Sequence, residues 1–128
     1  MREPRARILL VEDNYMNRVL IKEILTLGGY ETVEAENGAE AIRKIAESDP
    51  DLVLMDLHLP GMDGVTATRI IKANDRFKLT PVLALTASAS KGDEEDMLNI
   101  GFDGCVTKPV DRKRLIDTIS ESLKKRGG

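Results

Sequence analysis

Three short, uninterrupted apolar runs constrain this chain more than any other feature. They are Ile8-Leu9-Leu10-Val11, Leu52-Val53-Leu54-Met55 and Pro81-Val82-Leu83-Ala84-Leu85. Each ends abruptly at a polar residue: Glu12, Asp56 and Thr86 respectively. A strand that is apolar at every position, instead of alternating, is buried on both faces, as in a parallel sheet covered by helices. The middle run leads straight into Asp56, and a turn-forming stretch, His58-Leu59-Pro60-Gly61-Met62-Asp63-Gly64, follows it. A carboxylate closing a buried strand is costly unless it is used. The carboxyl ends of strands are also where open α/β sheets keep their ligand crevice.

Around these runs the pattern changes period. Apolar residues at Met16, Val19, Leu20, Ile24 and Leu27 are three or four apart, which predicts a helix over residues 16–27 with that face inward. Asn14 is its candidate cap and Gly28-Gly29 its stop. Residues 30–35 alternate, Val33 and Ala35 against Thr32 and Glu34, as a peripheral strand does. Ala41, Ile42, Ile45 and Ala46 predict a second helix, closed by Ser48-Asp49-Pro50. A third runs from Gly64 to about Asn74, with Val65, Ala67, Ile70 and Ile71 inward. Residues 90–100 predict a weak fourth helix. Gly92 lies inside it, and Asp93, Glu94, Glu95 and Asp96 suit the dipole but leave little apolar surface, so fraying is expected. Gly104-Cys105-Val106-Thr107 is a last strand, and residues 112–126 a last helix with Leu115, Ile116, Ile119 and Leu123 inward. Strict alternation predicts one α/β domain over residues 1–128: (βα)5, a doubly wound, five-stranded parallel sheet.

Composition removes several function classes. A net charge of −3 gives no bulk attraction to nucleic acid or to a membrane surface. Two Tyr, two Phe and no Trp leave no stacking platform for single-stranded nucleic acid. No apolar run approaches the length of a membrane span, and the basic start, Met1 to Arg7, precedes too short a run for a signal peptide. One cysteine, Cys105, cannot form an internal disulfide, which fits a reducing cytoplasm. It reads as a small buried hydrophobe.

Right-handed crossovers bring all strand carboxyl ends to one edge. That edge collects Glu12 and Asp13, Asp56, Thr86 and Lys108. Three carboxylates in one crevice repel one another and call for a cation. All-oxygen ligation without a Cys or His cluster suits a hard divalent ion such as Mg²⁺, which keeps open positions for phosphoryl oxygens. Asp56 can then attack phosphorus as a carboxylate nucleophile. Lys108 adds positive charge, Thr86 offers a hydroxyl, and the small Ala87 leaves room for a backbone N–H to approach.

Four pieces in order, Val11-Glu12-Asp13-Asn14, Leu54 through Gly64, Leu85-Thr86-Ala87 and Thr107-Lys108-Pro109, make the chain resemble the receiver domain of two-component response regulators over nearly its whole length. The resemblance implies a flavodoxin-like fold with strand order 2-1-3-4-5. It implies Asp56 as phospho-acceptor, with Asp13, Asp56 and the His58 carbonyl as Mg²⁺ ligands and Glu12 acting through water. Leu57, Thr86, Ala87 and Lys108 become phosphate-binding positions, Thr86 a switch hydroxyl, and a cis bond is expected before Pro109. The implied donor is a histidine kinase or histidine phosphotransfer protein. The implied output is a protein bound at the face of the fourth helix, fifth strand and fifth helix. One residue departs from the family: Cys105 stands three before the lysine, at the switch position where a Tyr or Phe ring is usual, and Phe102 does not match that slot.

Rivals fit less well. A flavin binder needs a Ser/Thr/Gly-rich loop after the first strand, where Glu12-Asp13 stands. A haloacid-dehalogenase-type phosphatase needs a second aspartate two residues past the nucleophile, where His58 stands. The chain is therefore expected to be a signalling phospho-acceptor and not a turnover enzyme. A receiver excised from a hybrid kinase and a phosphorylation-independent adaptor remain as alternatives.

Overall fold

The computed structural model describes residues 5–59, 61–87 and 91–127. Residues 1–4 of the basic start, Pro60 in the turn after Asp56 and the expected helix start at Ser90 lie outside that range. So do the side chains of Asp93, Glu94 and Arg126.

Five strand–helix units follow one another. They are β1 (Arg7–Val11), α1 (Tyr15–Leu27), β2 (Glu31–Ala35), α2 (Gly38–Ser48), β3 (Leu52–Asp56), α3 (Gly64–Ala73), β4 (Val82–Thr86), α4 (Lys91–Ile100), β5 (Gly104–Thr107) and α5 (Arg112–Gly127). All pairings are parallel and the order is β2-β1-β3-β4-β5. This is the flavodoxin-like arrangement expected, with its switch point between β1 and β3. The Lys108–Pro109 bond is cis, as anticipated.

The apolar runs are apolar throughout because the sheet has two cores. Leu9, Val11, Val53, Met55, Val82 and Ala84 face one side, against Ala41, Ile45, Ala67, Ile71 and Met97 of α2, α3 and α4. Ile8, Leu10, Leu52, Leu54, Leu83 and Leu85 face the other, against Ile21, Ile24 and Leu25 of α1 and Leu115 and Ile119 of α5. Successive residues of a strand therefore feed different cores. β2, at the edge, is only partly covered and keeps its polar positions.

Two helix faces differ from their expected orientation. In α1 the inward residues are Ile21, Ile24 and Leu25, with Arg18. Met16, Val19, Leu20 and Leu27 are exposed, as is Tyr15. The helix carries two apolar stripes, both at helical spacing; Ile24 alone belongs to the expected set and to the buried one. In α3, Ile70 is exposed while Thr68 is fully buried beside Ala67 and Ile71. Asn14 caps α1 by accepting from the Asn17 N–H, and Asp63 caps α3 by accepting from Thr66. α3 starts at Gly64 because a Cβ there would meet the Asp56 carbonyl oxygen at 2.1 Å. Only glycine lets α3 begin so close to the end of β3.

Candidate functional site

Strand register assembles the pocket. The last paired residues of β1 and β3 are Val11 and Met55, so Glu12 and Asp56 are the next positions on neighbouring strands. Asp56 lies opposite Leu85, one residue before Thr86. Thr86 pairs with Thr107, immediately before Lys108, whose N–H donates to the Thr86 carbonyl at 2.8 Å. Residues far apart in sequence thus end four neighbouring strands.

Glu12 and Asp56 are buried, at 1% and 2% exposure, whereas Asp13 is exposed. One carboxylate oxygen from each of the three lies within 4.8 Å of the others. The Lys108 ammonium donates to Asp56 Oδ2 at 3.0 Å and stands 2.8 Å from Glu12 Oε1. The second approach is an ion pair, and it is the contact Glu12 Oε1 makes among the described residues. Glu12 Oε2 accepts the Asn14 N–H at 3.1 Å. Asp56 Oδ1 accepts the His58 N–H at 3.0 Å. The pocket acids are held, but their charge is not balanced: one ammonium faces two buried carboxylates and a third at the rim.

Protonation follows from that imbalance. Burial, then the Asp56 carboxylate alongside, pushes the Glu12 carboxyl above its ordinary value of 4.5, against the opposing pull of Lys108 and the Asn14 N–H. Burial alone lowers the Lys108 ammonium, but Glu12 and Asp56 together outweigh it, and it ends above its ordinary 10.5. A raised carboxyl binds its proton more tightly folded than unfolded. Its stabilisation is complete below the unfolded value and is lost as pH rises from 4.5 through the folded value. Lys108 gives up its contribution only in strong alkali, so it is constant over that window. Without divalent cations, Glu12→Gln should gain stability over wild type as pH rises above 4.5. Urea midpoints in a chelating buffer test this, and parallel pH curves for the two proteins would rule it out.

The other expected site residues fall as follows. Thr86 is buried at the end of β4 and Ala87 is exposed just beyond it. The His58 side chain is exposed, and its N–H is the amide that reaches Asp56. Leu57 needs correction as a phosphate-binding position. Its N–H is committed to the Leu85 carbonyl at 3.2 Å and its side chain packs against the core. Cys105 is half-buried on β5 opposite Ala84, packed against the first core. It borders a concavity of about 260 Å³ with Met97, Leu98, Gly104 and Thr118. Phe102 is buried in the core, outside that slot. The roles of the His58 N–H and the buried Arg18 have no signal in the sequence. For Gly64 a signal existed, a glycine eight residues after a strand-end acid, but nothing in the sequence said what it must approach.

Fold and pocket together define a doubly wound α/β domain with an acid-lined cleft at its switch point. The family model described as the response regulator receiver domain matches residues 8–120. The polar-differentiation response regulator DivK of Brucella anthropi is 40% identical over 116 residues, covering 91% of this chain and 94% of the relative. Among solved structures, a putative response regulator from Chloroflexus aurantiacus superposes with a TM-score of 0.90 at 26% identity, covering 94% of this chain and 99% of that one. The receiver domain of sensor histidine kinase PA1611 from Pseudomonas aeruginosa, solved with a magnesium ion coordinated in its active site cleft, gives 0.86 at 36% identity, with coverage of 94% and 99%. The chain belongs to the response regulator receiver domain family of two-component signalling proteins. Among the described residues no helix is long and apolar enough to cross a membrane.

Proposed function

We propose that the chain is a Mg²⁺-dependent phospho-acceptor whose modification at Asp56 switches a protein-binding face. The observation that carries the reading is the Lys108 ammonium set between the Asp56 and Glu12 carboxylates with Asp13 within reach. The donor set fits Mg²⁺: it is all oxygen, and three carboxylates within 4.8 Å of one another face a single ammonium. Asp13 and Asp56, with the His58 carbonyl, would hold the ion directly and Glu12 through water. Bound there, Mg²⁺ supplies positive charge for the phosphoryl oxygens.

An Asp56 carboxylate oxygen attacks phosphorus and forms an acyl phosphate. The P–N bond of a phosphohistidine, or the P–O bond of acetyl phosphate, breaks, and its electron pair leaves with the imidazole or acetate. Lys108 is positioned to neutralise a phosphoryl oxygen, and the Thr86 hydroxyl and Ala87 N–H are its remaining partners. Thr86 moving toward the new phosphoryl group would bias the face of α4, β5 and α5. The small Cys105 means that no ring travels with it. Incubation with acetyl phosphate and Mg²⁺ followed by intact mass tests the reading. A phosphate-sized gain that disappears on chelation supports it, and no gain under any condition overturns it.

The phospho-acceptor reading also accounts for the exposed apolar side of α1. Leu20 lines a small concavity with Asn17, Ile21, Lys108, Pro109 and Val110, beside the pocket. An exposed apolar patch bordered by polar residues marks a protein contact. Leu20→Glu should slow phosphoryl transfer from a histidine phosphotransfer protein at least tenfold and leave the acetyl phosphate rate unchanged. Equal slowing of both rates would count against a docking role.

A further inference from the structure

Arg18 is the only buried cationic side chain among the described residues. Burying a guanidinium on the inner side of a helix is costly unless it is fully paired, and an apolar residue would pack there more cheaply. Its pairing is specific. Nη1 donates to the Glu12 carbonyl at 2.9 Å, Nε donates to Glu34 Oε1 at 3.2 Å, and Nη2 lies 3.5 Å from Glu36 Oε1. Lys22 holds the other Glu34 oxygen at 3.0 Å, which fixes that carboxylate in turn. The guanidinium therefore ties the end of β1 to the acids of the β2 edge.

The bond to Glu12 matters because of which carbonyl it is. That C=O lies in the peptide plane shared with Asp13, and the plane's orientation sets where the Asp13 side chain leaves the backbone. Asp13 has no side-chain hydrogen bond or ion pair among the described residues. Its placement over the pocket thus comes from the backbone alone. The Glu12 N–H is already fixed to the Ala35 carbonyl at 3.0 Å. Arg18 supplies the remaining restraint, so both sides of Glu12 are anchored to β2.

We propose that Arg18 is a positioning residue for the divalent cation: it holds the Glu12–Asp13 peptide so that both carboxylates are preset, without touching the ion. The inference rests on the cation-dependent reading above. It also predicts a sign. Deleting a positive charge near an acidic pocket should by Coulomb's law tighten Mg²⁺ binding; loss of positioning should weaken it.

Calorimetric titration of the full chain with Mg²⁺ decides between these. Arg18→Met is expected to bind Mg²⁺ about tenfold or more weakly, the usual scale for losing an outer-shell partner. Its acetyl phosphate rate should return to near wild type at saturating Mg²⁺, which separates ion affinity from a general defect. Arg18→Lys keeps the charge but cannot span the Glu12 carbonyl and Glu34 together, and should show a smaller loss. It also decides the matter if the Met variant fails to fold. A lower urea midpoint with Mg²⁺ affinity equal to or tighter than wild type overturns the proposal. Wild type that binds no Mg²⁺ overturns the phospho-acceptor reading itself, and this inference with it.

Discussion

Asp56→Asn is expected to lose the phosphate-sized mass gain completely while becoming more stable than wild type. The functional half follows from chemistry: an amide oxygen is too weak a nucleophile to displace imidazole or acetate from phosphorus. The stability half follows from the pocket. Asp56 is buried beside Glu12, within reach of Asp13, and shares its one ammonium with Glu12. Removing one charge relieves repulsion on the others and leaves Lys108 paired with Glu12. A gain of about 1 kcal/mol in urea unfolding without Mg²⁺ is the expected size, typical of relieving a functional site's strain. Added Mg²⁺ should shrink the difference, because the ion stabilises wild type more. A destabilised Asp56→Asn, or one that still gains phosphate, contradicts the account.

Lys108→Met should impair function in the same direction and stability in the opposite one. Its ammonium touches both buried carboxylates, at 3.0 Å and 2.8 Å. Deleting it leaves Glu12 and Asp56 uncompensated, and breaking a buried pair from one side costs about 3–5 kcal/mol. Lys108 is itself 23% exposed, so a value near the lower end is expected. Phosphorylation by acetyl phosphate should slow by about 10²–10³, the scale for losing one fixed group that stabilises developing negative charge. Mg²⁺ should restore much of the stability, since it can stand between the same acids, but not the rate. A near-normal rate would remove Lys108 from the reaction.

The opposite stability effects of two variants in one pocket distinguish this arrangement from an ordinary ion pair, where losing either partner destabilises. The pocket's excess of acid over base is what a cation and a phosphoryl group would use.

Much of this is legible in the amino-acid sequence. Three all-apolar runs demanded a sheet covered on both faces, and two cores receive them alternately. Alternation with helical segments set the parallel (βα)5 order, and the polar residue after each run marked the pocket. These are local signals: strand burial and helix periodicity are written in adjacent residues, and handedness does the rest.

What the sequence could not decide concerns rotation, close approach and backbone pairing. α1 carries two apolar stripes, and only packing against the core shared with β1 and α5 selected Ile21, Ile24 and Leu25 and left Leu20 outside. Leu57 read as a pocket residue, yet the sheet takes its N–H and gives the role of donor to His58. Gly64 is explained only by the Asp56 carbonyl it approaches, and Arg18 only by a carbonyl six residues behind it, an acid on β2 and another just past its end. Composition and periodicity report how much surface a segment must hide. Which of two equivalent faces is hidden, and which backbone group a side chain meets, depends on partners distant in sequence, and those exist only once the chain has folded.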